Sequence, residues 1–119
     1  MNDVNFLKAN GVDIESSVNT FGVELYNESL GIFLDEIIDK IHKLQECLQT
    51  GNIKDYTTYV HAIKGESLYL GFKDLANLAL THQQKGEIND VVYITNNFVP
   101  LITEIGGVIK VGKIYLGRE

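Results

Sequence analysis

Cysteine, proline and long apolar runs are scarce in this sequence of 119 residues. The single cysteine, Cys47, excludes an internal disulfide and fits a reducing compartment, and we interpret it as structural. No stretch approaches the ~20 apolar residues of a membrane-spanning helix. The segment 1–5 shows neither the basic region nor the apolar run of a signal peptide. We therefore predict a soluble, cytoplasmic protein.

Positive charge is also in the minority, because 10 Lys and Arg stand against 16 Asp and Glu and leave a formal net charge of −6. An acidic surface repels the phosphates of a nucleic acid, and no basic patch interleaved with aromatic residues appears. The sequence also lacks a nucleotide-binding glycine loop, a nucleophile elbow, a paired-carboxylate arrangement and a tight metal-binding pair such as His-x-x-x-His. We expect no nucleic-acid partner, no metal, no cofactor of its own and no independent catalysis.

An apolar content of 45% is enough for one domain with a single core, and most of the chain is patterned as helix. Gly51, Gly71 and Gly86 separate the helical segments, and the single proline, Pro100, marks a kink or an earlier end of the last one. The predicted helices are a short first helix capped by Asp13 or Ser16 and ending near Phe21-Gly22, then helices at about 23–49, 52–70, 73–85 and 88–105. In the longest helix the predicted buried stripe is Leu25, Phe33, Ile37, Ile41, Leu44 and Leu48.

Short connections between these helices favour antiparallel neighbours. We therefore predict an all-α fold within residues 1–105, namely an antiparallel up-down four-helix bundle with a short extra N-terminal helix. Residues 106–119 begin with two glycines and continue as an apolar tail with interspersed lysines. This tail fits a strand, a packing tail or a dimer contact, and the sequence leaves these alternatives open.

A histidine motif lies on the outer side of the predicted helix 52–70. At ~100° per residue, His61 falls roughly 130° from the centre of the apolar stripe, so the imidazole should face outward. Lys64 and Gly65 follow at three and four positions and share that side of the helix. A glycine inside a helix costs about 1 kcal/mol relative to alanine, and clearing the surface beside His61 for another molecule would account for it.

These residue types suit a nucleophilic histidine. A neutral imidazole carries a free lone pair that can attack a phosphoryl group. The ammonium of Lys64 can offset charge on the phosphoryl oxygens, and Gly65 leaves room for a donor or acceptor to approach in line. The alternative is a surface histidine with an incidental lysine. We favour the functional interpretation because spacing, helix phase and the costly glycine agree.

The run from Val60 to Ser67, followed by Leu70-Gly71, resembles the signature of histidine-containing phosphotransfer (HPt) domains. The resemblance covers about residues 7 to 100. Flanking similarity is found at Gly11-Val12-Asp13, Phe21-Gly22, Glu24-Leu25-Tyr26 and Leu48 to Gly51.

The resemblance implies a carrier without an ATP site of its own. Such a domain accepts a phosphoryl group from a receiver-domain aspartate or a sensor histidine kinase and passes it to a response-regulator receiver aspartate. Magnesium would come with the receiver. Gln83 resembles the family's Gln or Glu that hydrogen-bonds the histidine ring, and Leu68 and Tyr69 are expected on the docking surface. We expect a monomer.

Two departures from the family pattern keep other functions open. Position 66 is usually small in the family, and Glu66 could repel a phosphohistidine or an acidic receiver pocket, or simply point to solvent. Glu66 is the support for a rival function, a helical module that docks on receivers without phosphotransfer. The tail after residue 105 is the second departure. A further alternative is the phospho-accepting domain of a chemotaxis-type kinase, although Met1 and the lack of a following linker favour a free-standing carrier.

Overall fold

A computed structural model describes residues 3–119, and all the regular secondary structure in this range is helical. The prediction of an all-α fold is therefore confirmed. Seven helices follow one another along the described residues: α1 (Val4–Ala9), α2 (Glu15–Phe21), α3 (Val23–Thr50), α4 (Ile53–Leu70), α5 (Lys73–Glu87), α6 (Val91–Asn96) and α7 (Phe98–Leu116).

The four longest helices surround one apolar core. Helix α4 packs against α3 on one side and α5 on the other, and α7 contacts both α3 and α5. The remaining short helices pack at the edges, α1 against α7, α2 against α3, and α6 against α5 and α7. The largest side chains of the core are fully buried: Tyr26, Tyr56, Tyr115, Leu7, Ile14, Leu30, Ile37, Leu44, Ile63, Leu70, Leu75 and Ile94. Burial of this apolar area is the main force that holds α4 in place.

The stripe predicted for α3 is largely correct, with an error at its start. Phe33, Ile37 and Leu44 are buried, but Leu25 is 44% exposed. Tyr26 takes the expected place of Leu25 in the core. The Tyr26 hydroxyl donates to the backbone carbonyl of Leu70 at 2.5 Å, so a polar tip is satisfied inside the core.

The turn between α3 and α4 forms as its residues predict. Gly51 ends α3 in the left-handed conformation, with φ of 74°. Asn52 caps α4, because its side-chain oxygen accepts from the backbone N–H of Asp55 at 3.1 Å. Gly71 ends α4 in the same way, with φ of 88°. Through these short turns α4 is connected to α3 and α5, and it packs against both of them.

The N-terminal segment differs from its prediction in two respects. Helix α1 was not foreseen, and Asp3 caps it by accepting from the backbone N–H of Asn5 at 2.9 Å. Helix α2 ends at Phe21 as expected, but neither Asp13 nor Ser16 caps it, because Ile14 occupies the cap position without a side-chain hydrogen bond. The Asp13 carboxylate instead lies 2.6 Å from the Lys73 ammonium.

Gly86 does not end its helix, whereas the chain breaks before Pro100, which agrees with the earlier end that the sequence allowed. Gly86 lies inside α5, where a Cβ atom would collide with the side chain of Thr57 on α4. Close packing of α4 and α5 therefore requires glycine at position 86. The break near Pro100 comes earlier, at Asn97 between α6 and α7. Pro100 falls in the first turn of α7, where a helix does not need the missing N–H.

The tail after residue 105 is helical, and no change of structure marks the boundary placed there. Helix α7 continues through the two glycines, which lie on its exposed side, and ends at Leu116. Val108, Gly112 and Tyr115 are buried at three- and four-residue spacing. The Tyr115 hydroxyl donates to Asn27 Oδ1 of α3 at 2.6 Å. Of the open alternatives, a strand is wrong, and the contacts are those of a packing segment.

None of the helices within residues 3–119 combines the length and the apolarity required to span a bilayer.

Candidate functional site

His61 projects from the exposed side of α4, opposite the buried stripe. The prediction of an outward imidazole is correct, because His61 is exposed while the stripe residues lie against the core. The buried residues of that stripe are Ile53, Tyr56, Val60, Ile63 and Leu70. The helix phase alone therefore presents the imidazole to solvent.

A side chain from α5 fixes the ring of His61. The Nδ1 atom of His61 lies 3.0 Å from Oε1 of Gln83. An amide oxygen only accepts, so with this assignment Nδ1 carries the ring proton and donates. The lone pair then resides on Nε2, the other ring nitrogen. The contact with Gln83 therefore leaves Nε2 as the ring nitrogen with a free lone pair.

Lys64 and Gly65 lie beside His61 on the same helix. Among the ion pairs formed by residues 3–119, none involves the half-buried Lys64. Its ammonium is therefore not neutralised by a carboxylate of the described chain. Gly65 is exposed, and a Cβ atom added there would meet nothing within 4 Å. The chain's own packing does not require glycine at this position.

An apolar surface continues from Gly65 towards α2 and α3. Leu68 is 57% exposed and Tyr69 is half-buried, and Phe21 of α2 packs against the Tyr69 ring with centroids 5.5 Å apart. Ile32 of α3 is 50% exposed. A groove of about 360 Å³ runs between α3 and α4, lined by Ser29, Ile32, Phe33, Gly65, Glu66, Tyr69 and Leu70. The sequence did not predict that Phe21 and Ile32 belong to this surface, because their position beside α4 depends on tertiary packing.

Glu66 neither points freely to solvent nor stands as an uncompensated charge. Both of its carboxylate oxygens lie 2.7 Å from the Nζ atom of Lys40 on α3. Lys40 lies outside the buried stripe predicted for α3, and nothing in the sequence pattern singles it out. The contact joins residues 26 positions apart, so no local spacing rule could have found it.

A buried polar pair includes His82, the residue that precedes Gln83 on α5. The Tyr56 hydroxyl and Nδ1 of His82 are 2.8 Å apart, and both side chains are fully buried. Burial lowers the pKa of His82 below its ordinary value of 6.5, and an interaction with the Asn97 backbone opposes that shift only in part. Nε2 of His82 has no hydrogen-bond partner of good geometry within the described chain. Protonation of this ring is therefore unfavourable in the folded state.

We expect the protein to lose stability as the pH falls from 7.5 to 5.5. The unfolded chain binds a proton at His82 near pH 6.5 and the folded chain only at lower pH, so unfolding takes up a proton in this window. One such site changes the free energy of unfolding by up to about 1.4 kcal/mol per pH unit. Urea unfolding at several pH values measures this slope. The His82→Gln variant should flatten it, whereas an unchanged slope would assign the pH dependence to other groups.

Within residues 3–119, no cluster of three or more His, Cys, Asp or Glu side chains is arranged to hold a metal ion.

Comparison with known proteins identifies a family but no individual relative. Searches of the curated proteins and of the solved structures returned no match. A family model described as "Hpt domain" matches residues 28–94, which is more than half of the chain and includes α4 with His61 and α5 with Gln83. This chain therefore belongs to the Hpt domain family, whose members carry out histidine phosphotransfer in two-component signalling and interact with receiver domains and kinases.

Proposed function

We propose that this chain is a phosphorelay intermediate. His61 accepts a phosphoryl group from a receiver-domain aspartate or a sensor histidine kinase and passes it to a response-regulator receiver aspartate. The observation that carries this proposal is the geometry of His61. Its ring is exposed on α4, and its Nδ1 atom is held 3.0 Å from Gln83 Oε1. The family resemblance implies no ATP site in this chain, so in this proposal the phosphoryl group arrives already activated.

In the proposed step, Nε2 of His61 attacks phosphorus in line with the bond to the receiver's carboxylate oxygen. A nitrogen–phosphorus bond forms as that phosphorus–oxygen bond breaks, and the receiver recovers its carboxylate. The Nδ1 proton stays on the ring, where Gln83 accepts its hydrogen bond and stabilises the positive charge that develops. The reverse sequence, with a second receiver aspartate, discharges the carrier.

Lys64 and Gly65 assist this step in different ways. The Lys64 ammonium, one turn from His61, balances charge on the phosphoryl oxygens. Gly65 leaves the approach path open, because no side chain fills the surface there. Magnesium belongs to the partner receiver and needs no ligand from this chain.

The partner docks on the apolar surface formed by Phe21, Ile32, Leu68 and Tyr69. Exposed apolar side chains next to a polar reactive group are typical of the centre of a transient interface. The packing of α3, α4, α5 and α7, with short turns on both sides of α4, supports an antiparallel up-down four-helix bundle as the scaffold. We further propose that the chain acts as a cytoplasmic monomer.

The rival function, docking without phosphotransfer, loses its motivation. It depended on Glu66 as a repulsive charge beside the histidine. The pairing of Glu66 with Lys40 offsets that charge, and His61 is exposed. Phosphotransfer is therefore the function that the arrangement of the side chains favours.

The test is a phosphotransfer assay with a radiolabelled phospho-receiver or an autophosphorylated sensor kinase. Wild type should acquire a label that is labile in acid and stable in alkali, and His61→Gln should acquire none. His42→Gln is the matched control, since His42 is an exposed histidine on α3. Label that persists in His61→Gln would move the acceptor elsewhere. Receiver binding without transfer from several donors would favour the docking module.

A further inference from the structure

One ion pair bridges α3 and α4 at the edge of the proposed docking surface. The Nζ atom of Lys40 lies 2.7 Å from each carboxylate oxygen of Glu66, and the two side chains are only 19% and 35% exposed. Partial burial with two short contacts distinguishes this pair from the looser Lys43–Asp39 pair, at 4.0 Å with side chains 45% and 74% exposed. Removing one partner of a shielded pair leaves the other charge uncompensated, which affects its surroundings more than the loss of an exposed pair does.

The position of Glu66 connects this pair to the interface. Glu66 directly follows Gly65 and lines the groove between α3 and α4 together with Tyr69 and Ile32. His61 contacts α5 on the other side of α4 through Gln83. A partner that covers His61 and the apolar surface must therefore also cover the edge of the groove where Glu66 lies.

The effect of an unpaired Glu66 on docking depends on the charge of the receiver surface that approaches it. The chain already carries a formal net charge of −6. A receiver that presents an aspartyl phosphate, or an empty acidic pocket, adds negative charge to the same interface. Like charges brought together at an interface slow encounter and weaken docking.

We propose that Lys40 is a positioning residue for docking, which neutralises Glu66 so that an anionic receiver surface can approach the groove. Lys40 touches neither the phosphoryl group nor His61, and acts only through the Glu66 carboxylate. This inference rests on the proposed phosphotransfer function. It assigns to α3 a determinant of partner choice, because a receiver with a positive charge at this contact would not need Lys40.

The test compares kcat and KM for transfer from a phospho-receiver to wild type, Lys40→Gln, Glu66→Gln and the double variant. Lys40→Gln should raise KM about three- to tenfold with little change in kcat, and added salt should reduce the difference. The double variant should return to within about twofold of wild type, since no charge is then left unpaired. Lys43→Gln is the matched control, because it removes the same charge from the next turn of α3 without exposing Glu66.

Several results would overturn the inference. If Lys40→Gln and Lys43→Gln had the same KM, only the net charge of the protein would matter and the pairing of Lys40 with Glu66 would not. If the double variant did not recover, action of Lys40 through Glu66 would be excluded. If Lys40→Gln does not fold, the exchanged pair Lys40→Glu with Glu66→Lys must still transfer at the wild-type KM. These outcomes differ from failure of the proposed function, in which wild type itself acquires no label.

Discussion

Replacing Gly71 with alanine is expected to lower the free energy of unfolding by about 3–5 kcal/mol. We expect a larger effect from this substitution than from other replacements of glycine by alanine in this chain. Gly71 adopts φ of 88°, a left-handed conformation that an L-residue enters only at a cost. A Cβ atom at this position would also collide with the backbone carbonyl of Asp13. Backbone cannot rotate aside as a flexible side chain can, so the N-terminal segment must move.

Gly51 provides the matched control for this experiment. It ends α3 as Gly71 ends α4 and has φ of 74°, but a Cβ atom there would meet nothing within 4 Å. Gly51→Ala should therefore cost only the backbone term, about 1–2 kcal/mol. Urea unfolding of the two variants separates backbone strain from the collision. Equal losses of unfolding free energy would show that the collision of the added Cβ with Asp13 costs nothing.

The same contact ties the first helices to the end of α4. The Asp13 N–H donates to the Gly71 carbonyl at 2.9 Å, and the Asp13 carboxylate pairs with Lys73. Because Leu68 and Tyr69 immediately precede this turn, a displaced N-terminal segment would also disturb the apolar surface. Stability and docking are thus linked at one glycine.

The features of the site that were predictable from the sequence are those set by one helix alone. The outward direction of His61 and the neighbouring positions of Lys64 and Gly65 follow from the helical repeat. The cap at Asn52 and the stop at Gly51 follow from local backbone chemistry. The contact of Gln83 with His61 needed the family resemblance as well, since the periodicity of α5 does not distinguish Gln83 from Gln84.

Contacts between distant segments were not predictable in the same way. Lys40 and Glu66 are each ordinary polar residues of an amphipathic helix, and only the packing of α3 on α4 brings them together. Gly86 was taken for a helix end because glycine lowers helix propensity, whereas here it permits the close approach of Thr57. In α7 the paired glycines obscured a regular helical stripe, which becomes clear once Val108, Gly112 and Tyr115 are known to be buried.

Substitution of Gly65 should separate stability from function. We expect Gly65→Gln to raise the free energy of unfolding by about 0.5–1 kcal/mol, because glutamine is the better helix former and the space around position 65 is open. The same variant should slow phosphotransfer by about 10- to 100-fold, since a long side chain beside His61 displaces the reacting groups from in-line geometry.

Gly106→Gln is the control, because Gly106 is also an exposed glycine inside a helix with no atom within 4 Å of an added Cβ. It should gain the same stability and transfer at the wild-type rate. Urea unfolding and single-turnover transfer measure the two quantities on the same samples. If Gly65→Gln transferred as fast as wild type, access to His61 would not explain this glycine. If both variants gained stability and only Gly65→Gln lost activity, glycine at position 65 would be shown to lower the stability of the protein while keeping His61 accessible to a partner.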